Sequence, residues 1–215
     1  MKRINLLLIV FITSMSLAGD KHEEAIKHFN SIGEKYESRY DGISFKNKQR
    51  CLDNDLKYLK DFKKLRTVIL TKCNITDEAF VHFQDLKDLE FLRLEETKIN
   101  GSGFKYLANM KKLGTIWAYK TNVNDEALQY LSKLDGLWEL NLGGTKVSDK
   151  GLYYLRNLNL KNLTLFDTKV TDKGLKYLYK MDELSYLNLN GTKCTKRGKK
   201  DLEKHVPSVN IDLDD

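Results

Sequence analysis

The side chains that could carry out chemistry are scattered along this chain. The four histidines, His22, His28, His82 and His205, are far apart, and no H-E-x-x-H, paired C-x-x-C or nucleophile-elbow motif accompanies them. Gly101-Ser102-Gly103 is only weakly similar to a phosphate-binding loop. Because a catalytic site needs several groups within reach of one another, the sequence predicts no enzyme, no metal site and no cofactor.

A row of aspartates is the strongest candidate for a metal site. Thr76-Asp77, Asn124-Asp125, Ser148-Asp149 and Thr171-Asp172 recur at regular intervals and resemble a ladder of ligands. However, Thr, Asn and Ser suit the N-cap of a helix, and the acid that follows is stabilised by the positive end of the helix dipole. We therefore interpret each pair as a helix start.

These residues belong to a unit that is repeated along most of the chain. The pattern L-x-x-[VLI]-x-[LA]-x-x-[TC]-x-[IV] recurs in steps of 24, 24, 24, 23 and 24 residues. Alternation around its fourth and sixth positions predicts a strand with one face inward, and the helix start predicts a short helix after it. The copies begin at Leu65, Leu89, Leu113, Leu137, Leu160 and Leu184.

A threonine follows each predicted strand. We expect its buried hydroxyl to satisfy backbone groups where the chain leaves the strand, so that each turn can bond to the next. The column consists of Thr97, Thr121, Thr145, Thr168 and Thr192, with Cys73 in the first copy.

This repeated unit resembles the leucine-rich repeat proteins, specifically the type found in ribonuclease-inhibitor-like and F-box-associated proteins and in exported bacterial counterparts. The resemblance covers about Cys51 to Leu213 and implies an α/β solenoid. The expected fold is a right-handed β-α superhelix with a parallel sheet on its concave face and helices on its convex face. For function it implies protein recognition on the concave face, with a substrate-recognition role like that of F-box-associated proteins as an alternative.

The ends of the chain predict the domain organisation. Lys2 and Arg3, the apolar run 4–12 and small residues up to Gly19 form a signal peptide over 1–19, so the protein is predicted to be exported, secreted or periplasmic. We expect no membrane anchor after cleavage, although a retained anchor is the alternative. Residues 20–48 are predicted to form a helical capping segment, and residues 49–215 the repeat domain with a degenerate first repeat and a C-terminal cap.

The net charge of the full chain is +7, and loss of Lys2 and Arg3 with the signal peptide would leave about +5. Acidic and basic residues are mixed along the sequence, so we expect a solvated surface and no nucleic-acid partner. Of the three cysteines, Cys51 and Cys73 fall on adjacent turns and could form a disulfide. Buried thiols that serve as small hydrophobic groups are the other interpretation.

Residues that point away from the core on the strands can vary without harming the fold, so they form the predicted recognition surface. Aromatic residues and arginine are enriched at interface hot spots. Arg93 and Trp117 share a column on adjacent strands and should stack. The rings could instead help the strands pair, or they could bind a glycan. The predicted partner-binding residues are Phe91, Arg93, Glu95, Trp117, Tyr119, Glu139, Asn141, Phe166, Tyr186 and Asn188.

Overall fold

A computed structural model describes residues 21–31, 35–37, 42–45, 51–62 and 64–214. The predicted signal peptide, 1–19, lies outside the described residues. None of the helices in these ranges is long and apolar enough to span a bilayer.

One nine-stranded sheet runs through the described chain, with its strands in sequence order. The first two strands pair antiparallel, and every later neighbour pairs in parallel. The strands are β1 (Lys35–Glu37), β2 (Gly42–Ser44), β3 (Thr67–Ile69), β4 (Phe91–Arg93), β5 (Thr115–Trp117), β6 (Glu139–Asn141), β7 (Asn162–Thr164), β8 (Tyr186–Asn188) and β9 (Asn210–Asp212).

A short helix follows each strand from β2 to β8. The first three are 3₁₀ helices, Asp53–Asp61, Asp77–His82 and Ser102–Leu107. The later ones are α-helices, Asp125–Leu131, Asp149–Leu155, Asp172–Leu175 and Lys196–His205, the third of which continues as the 3₁₀ turn Lys176–Leu178. This alternation of strand and helix agrees with the repeat prediction.

The core lies between the sheet and the helices. Register places Leu92, Ile116, Leu140, Leu163 and Leu187 side by side in one column, and all are fully buried. On each strand, the residues that come directly before and after the buried residue are mostly half-buried. They form the uncovered side of the sheet, which we call the open face.

The helix starts are capped as predicted. The side chains of Thr76, Asn124, Ser148 and Thr171 each accept a hydrogen bond from a backbone N–H of the first helical turn. The first turn of each of these helices also carries the predicted aspartate.

The aspartates have a second role that the sequence did not predict. Asp149 accepts hydrogen bonds from the backbone N–H and the hydroxyl of Thr171, at 2.8 and 2.7 Å, one turn further along. Asp53, Asp125 and Asp172 make the same pair of bonds to the N-cap residues of their following turns. We call this series the aspartate ladder. It joins neighbouring helix starts directly.

The aspartate ladder explains a run of glycines in the later helices. A Cβ on Gly174 would lie 2.4 Å from Asp149 Oδ1, and one on Gly198 would lie 2.1 Å from Asp172 Oδ1. Only glycine leaves room for the carboxylate of the preceding turn. Ala127 occupies the equivalent place after the turn in which Gly101 replaces the aspartate, and a Cβ on Gly101 would lie 2.3 Å from the Cβ of Ala127.

The hydroxyls of the threonine column satisfy backbone groups where the chain leaves each strand, as predicted, but these bonds stay within one turn. Each hydroxyl from Thr97 to Thr192 donates to the carbonyl three residues earlier, for example Thr145 Oγ1 to Leu142 O at 2.6 Å. The prediction that these hydroxyls join one turn to the next was therefore wrong, because the nearest acceptor is the carbonyl of the same bend. Connection between turns comes from the sheet and the aspartate ladder.

The N-terminal segment is more varied than the helical cap predicted over 20–48. A helix spans 21–31 and buries Ala25 and Phe29, but β1 and β2 form a hairpin in the same segment. The helix packs Phe29 against Phe45 and Phe62, at ring distances of 5.3 and 5.8 Å. The edge of the sheet is thus extended by β1.

The cysteines do not form the disulfide considered from the sequence. Cys73 is a free thiol, and both Cys51 and Cys73 are buried, in keeping with their use as small hydrophobic side chains. Cys194 takes the place of the valine or isoleucine in the last repeat, and burial raises the pKa of its thiol to about 11.

The C-terminal cap is formed by the helix Lys196–His205 and by β9. Ile211 of β9 is buried, as the alternation in the sequence predicted. Tyr179 donates a hydrogen bond to Asp201 and stacks on His205 with ring centroids 3.8 Å apart. The bond to Asp201, together with burial, raises the pKa of Tyr179 to about 12.

We expect Asp201→Asn to return the pKa of Tyr179 toward its ordinary value of 10.0, because the acceptor charge is lost. The folded-state pKa is raised, so the interaction stabilises the fold fully below pH 10 and is lost as the pH rises through about 12. Alkaline titration followed by tyrosinate absorbance measures the shift. Asp182→Asn is the control, and an unchanged high-pH transition in Asp201→Asn would contradict the assignment.

Candidate functional site

Nine of the ten predicted partner-binding side chains lie half-buried on or beside the open face. Strand geometry places them there, because alternate residues of a strand point to opposite sides of the sheet. The first group occupies β4, β5 and β6. Parallel register sets Phe91 beside Thr115 and Arg93 beside Trp117, with Glu139 on the next strand.

The side chains of this first group contact one another closely. Phe91 meets Trp117 edge to face with ring centroids 5.5 Å apart, and the Arg93 guanidinium lies 4.5 Å from the Trp117 ring centroid. Trp117 Nε1 donates to Glu139 Oε1 at 2.7 Å. The predicted stacking of Arg93 on Trp117 is thus present. We call Phe91, Arg93, Trp117 and Glu139 the tryptophan cluster.

Glu95 is the exception, because it is fully buried and does not face a partner. It occupies the same repeat position as Tyr119 and Phe166 of the open face, but its shorter side chain is covered by the neighbours that bond to it. Arg93 donates to its carboxylate from Nε and from one terminal nitrogen, at 3.0 and 2.8 Å. Thr71 donates to the other oxygen at 2.5 Å. Glu95 therefore holds Arg93 in place over Trp117.

A second aromatic pair lies farther along the sheet. The ring centroids of Tyr119 and Phe166 are 6.1 Å apart, although one complete turn of the chain lies between the turns to which they belong. Gly143 of the turn between them makes this possible, since a Cβ there would lie 2.1 Å from the Phe166 ring. The glycine therefore lets these two rings meet across the intervening turn.

Contacts among Lys72, Glu96 and Tyr119 determine the charge states of Glu96 and Tyr119 on the open face. Tyr119 donates to Glu96 at 3.3 Å, and Lys72 forms an ion pair with the same carboxylate at 3.3 Å. Burial and the nearby Glu96 charge raise the pKa of Tyr119. Burial acts to raise the pKa of Glu96, but the bond and charge of Lys72 outweigh it and lower that pKa. Neither group is set to exchange a proton near neutral pH.

The last group is engaged in internal bonding. Tyr186 donates to Asp212 at 2.6 Å, and this bond raises the pKa of its phenol. Asn141 and Asn188 use their amide oxygens to accept the backbone N–H two residues later, at 3.1 and 3.0 Å. These amides shape the bends after their strands.

Sequence reasoning missed several residues of the site. Trp138 is 42% exposed and directly precedes Glu139 in the chain, and its ring lies against Gly114. Thr71 and Gly143 also matter, as supports of Arg93 and Phe166. The signal for Thr71 was its spacing of 24 residues from Glu95, which is one repeat.

The geometry of the open face provides a surface for contact. Within the described ranges, no three or more His, Cys, Asp and Glu side chains are grouped so that they could hold a metal.

No family model and no curated protein matches the sequence. Among solved structures, the chain is similar to internalin C2 from Listeria monocytogenes, a leucine-rich repeat protein, with a TM-score of 0.59. The match covers 81% of this chain and 80% of that chain, at 16% sequence identity. The fold is a leucine-rich repeat solenoid. An identity this low establishes the fold alone.

Proposed function

We propose that the protein is a non-enzymatic interaction module that binds a protein partner on the open face of its sheet. The tryptophan cluster is the observation that carries this proposal. It presents two aromatic rings and an arginine, side chains that dominate binding energy at many interfaces. Similarity to a leucine-rich repeat fold supports recognition by this face, and it leaves the partner to be identified.

Preorganisation strengthens this proposal. Binding normally costs free energy to immobilise long side chains, and arginine is among the most mobile of them. Here Glu95 and Trp117 already hold the Arg93 guanidinium from two sides. A partner therefore meets a surface whose order is already established by folding.

The place of action that we propose is outside the cytoplasm, in a secreted or periplasmic form. The positive, apolar and small-residue segments of 1–19 support export. Mass determination of the protein recovered outside the cytoplasm tests this point. A mature product that begins near residue 20 is expected, and a protein retained inside the cell with its full mass would contradict export.

A glycan ligand is the alternative for the same face. Trp117 and Tyr119 could stack on sugar rings, but Asn141 and Asn188 have committed their amide oxygens to backbone N–H groups. Sugar hydroxyls need both donors and acceptors, so a protein partner is the better fit. Glycan-array binding that Trp117→Ala abolishes would favour the sugar instead.

The test compares partner capture by the wild type and a Phe91→Ala, Trp117→Ala double variant. We expect the double variant to bind the partner at least about 30-fold more weakly, because loss of even one aromatic hot-spot side chain costs about 2 kcal/mol or more. Tyr153→Ala, Tyr177→Ala is the matched control, since it removes two exposed rings from the helical side. Identical partners from the wild type and a folded Phe91, Trp117 variant would refute the proposal.

A further inference from the structure

Basic side chains are concentrated on the helices of the last two turns. Lys173 and Lys176 lie on the helix that begins at Asp172, and the helix Lys196–His205 carries five lysines and arginines, of which Lys199 is half-buried and donates to Ile211 O. The other four and the first two form one group. All six are exposed. We call Lys173, Lys176, Lys196, Arg197, Lys200 and Lys204 the basic helical surface.

This surface contains two adjoining grooves. One, of about 450 Å³, lies between the two helices and is lined by Lys173, Lys176 and Arg197. The other, of about 480 Å³, lies along the last helix and is lined by Arg197, Lys200 and Lys204 among others. Arg197 lines both grooves, so they share a positively charged side chain.

The acids that border the grooves are already engaged. Both carboxylate oxygens of Asp172 accept hydrogen bonds from Thr195, at 2.8 and 2.7 Å. Asp201 accepts the hydroxyl of Tyr179, and its nearest cation is Lys204 at 3.9 Å. Lys173, Lys176, Arg197 and Lys200 form no ion pair with another described residue.

Several basic side chains of the earlier turns form ion pairs with acids of a neighbouring turn. Lys112 pairs with Asp88 at 2.6 Å, and Lys150 pairs with Glu126 at 2.8 Å, each one repeat away. Some cations of the earlier turns are therefore neutralised by a partner one repeat away, whereas Lys173, Lys176, Arg197 and Lys200 are grouped around the two grooves without such partners among the described residues. An unbalanced group of cations attracts an anionic surface, and this attraction weakens with salt.

Exposed aromatic residues border the same region. Tyr153 and Tyr177 are 44% and 36% exposed, and their rings meet at 5.4 Å. The Arg156 guanidinium covers one face of Tyr153 at 3.8 Å from the ring centroid. Tyrosine with basic neighbours suits the headgroup region of a bilayer, where its ring is buried and its hydroxyl is hydrated.

We propose that the basic helical surface docks on a bilayer containing anionic lipids, with phosphate headgroups in the two grooves. The tyrosine arrangement favours a bilayer over a nucleic acid, which would need free ring faces on which bases can stack. Docking by the helical side leaves the open face pointing away from the bilayer and available to a partner.

Co-sedimentation of the full chain with lipid vesicles tests this proposal. The vesicles contain phosphatidylcholine alone or with phosphatidylglycerol, at low and high salt. We expect binding only to the anionic vesicles at low salt, and about 10- to 30-fold weaker binding for Arg197→Gln, Lys200→Gln. Lys105→Gln, Lys133→Gln is the matched control, because it removes the same charge from exposed positions of earlier turns.

The control pair should bind anionic vesicles within about twofold of the wild type. Equal loss in both pairs would show that net charge alone is responsible and would overturn the proposal. Equal binding to neutral and anionic vesicles would also overturn it, since the apolar segment 4–12 could then account for binding. The proposal would also be overturned if the protein bound a single-stranded oligonucleotide more tightly than anionic vesicles and lost that binding in Arg197→Gln, Lys200→Gln.

Discussion

Replacing Glu95 with alanine is expected to lower the free energy of unfolding by about 2–4 kcal/mol. Glu95 is fully buried, and its carboxylate accepts hydrogen bonds from Arg93 and Thr71. Its removal leaves a half-buried guanidinium and a hydroxyl without their acceptor. Urea unfolding followed by far-UV circular dichroism measures the change.

Glu90→Ala is the matched control for that substitution. Glu90 also pairs with an arginine one strand away, Arg66, at 2.6 Å, but both side chains are largely exposed. Exposed pairs contribute about 0–1 kcal/mol, so Glu90→Ala should change stability little. Equal losses in the two variants would contradict the buried role assigned to Glu95.

The second large effect is expected for Asp149→Ala, which should lower the free energy of unfolding by about 1.5–3 kcal/mol. The substitution removes two charge-assisted hydrogen bonds to Thr171 and leaves the start of the following helix without its acceptor. The space beside Gly174 would also become empty. The same urea experiment measures this loss.

Asp135→Ala provides the comparison, because it removes the same side chain from a position outside the aspartate ladder. The side chain of Asp135 is 82% exposed and its ion pair with Lys111 is 3.6 Å long, so we expect a change within about 0.5 kcal/mol. If Asp149→Ala were as mild as Asp135→Ala, the aspartates would be stabilising only their own helix dipoles.

The aspartate ladder shows where sequence reasoning succeeds and where it ends. The Thr-Asp or Ser-Asp pair predicted helix starts correctly, because capping is local. The partner of Asp149 is 22 residues away, and the helix dipole already gave a sufficient local reason for an acid. The threonine column failed in the opposite sense, since a contact predicted between turns lies within one turn.

The open face was predictable in part for a similar reason. Arg93 and Trp117 share a column, so the repeat period alone was enough to place them in contact. Glu95 was predicted to be accessible because alternation gives the side of the sheet on which a residue lies and not its coverage by neighbours, here Arg93 and Thr71. Gly143 gave no signal of its own, because its importance depends on Phe166 of the next turn.

Site-specific photocrosslinking tests the central claim most directly, namely that the open face binds the partner. A photoreactive side chain replaces Asn141, on the open face beside the tryptophan cluster, or Tyr177, on the helical side. We predict that the partner is crosslinked from position 141. Excess unlabelled wild-type protein should suppress this crosslink, whereas excess Phe91→Ala, Trp117→Ala protein should not. A partner crosslinked only from position 177, or suppressed equally by both competitors, would contradict the claim.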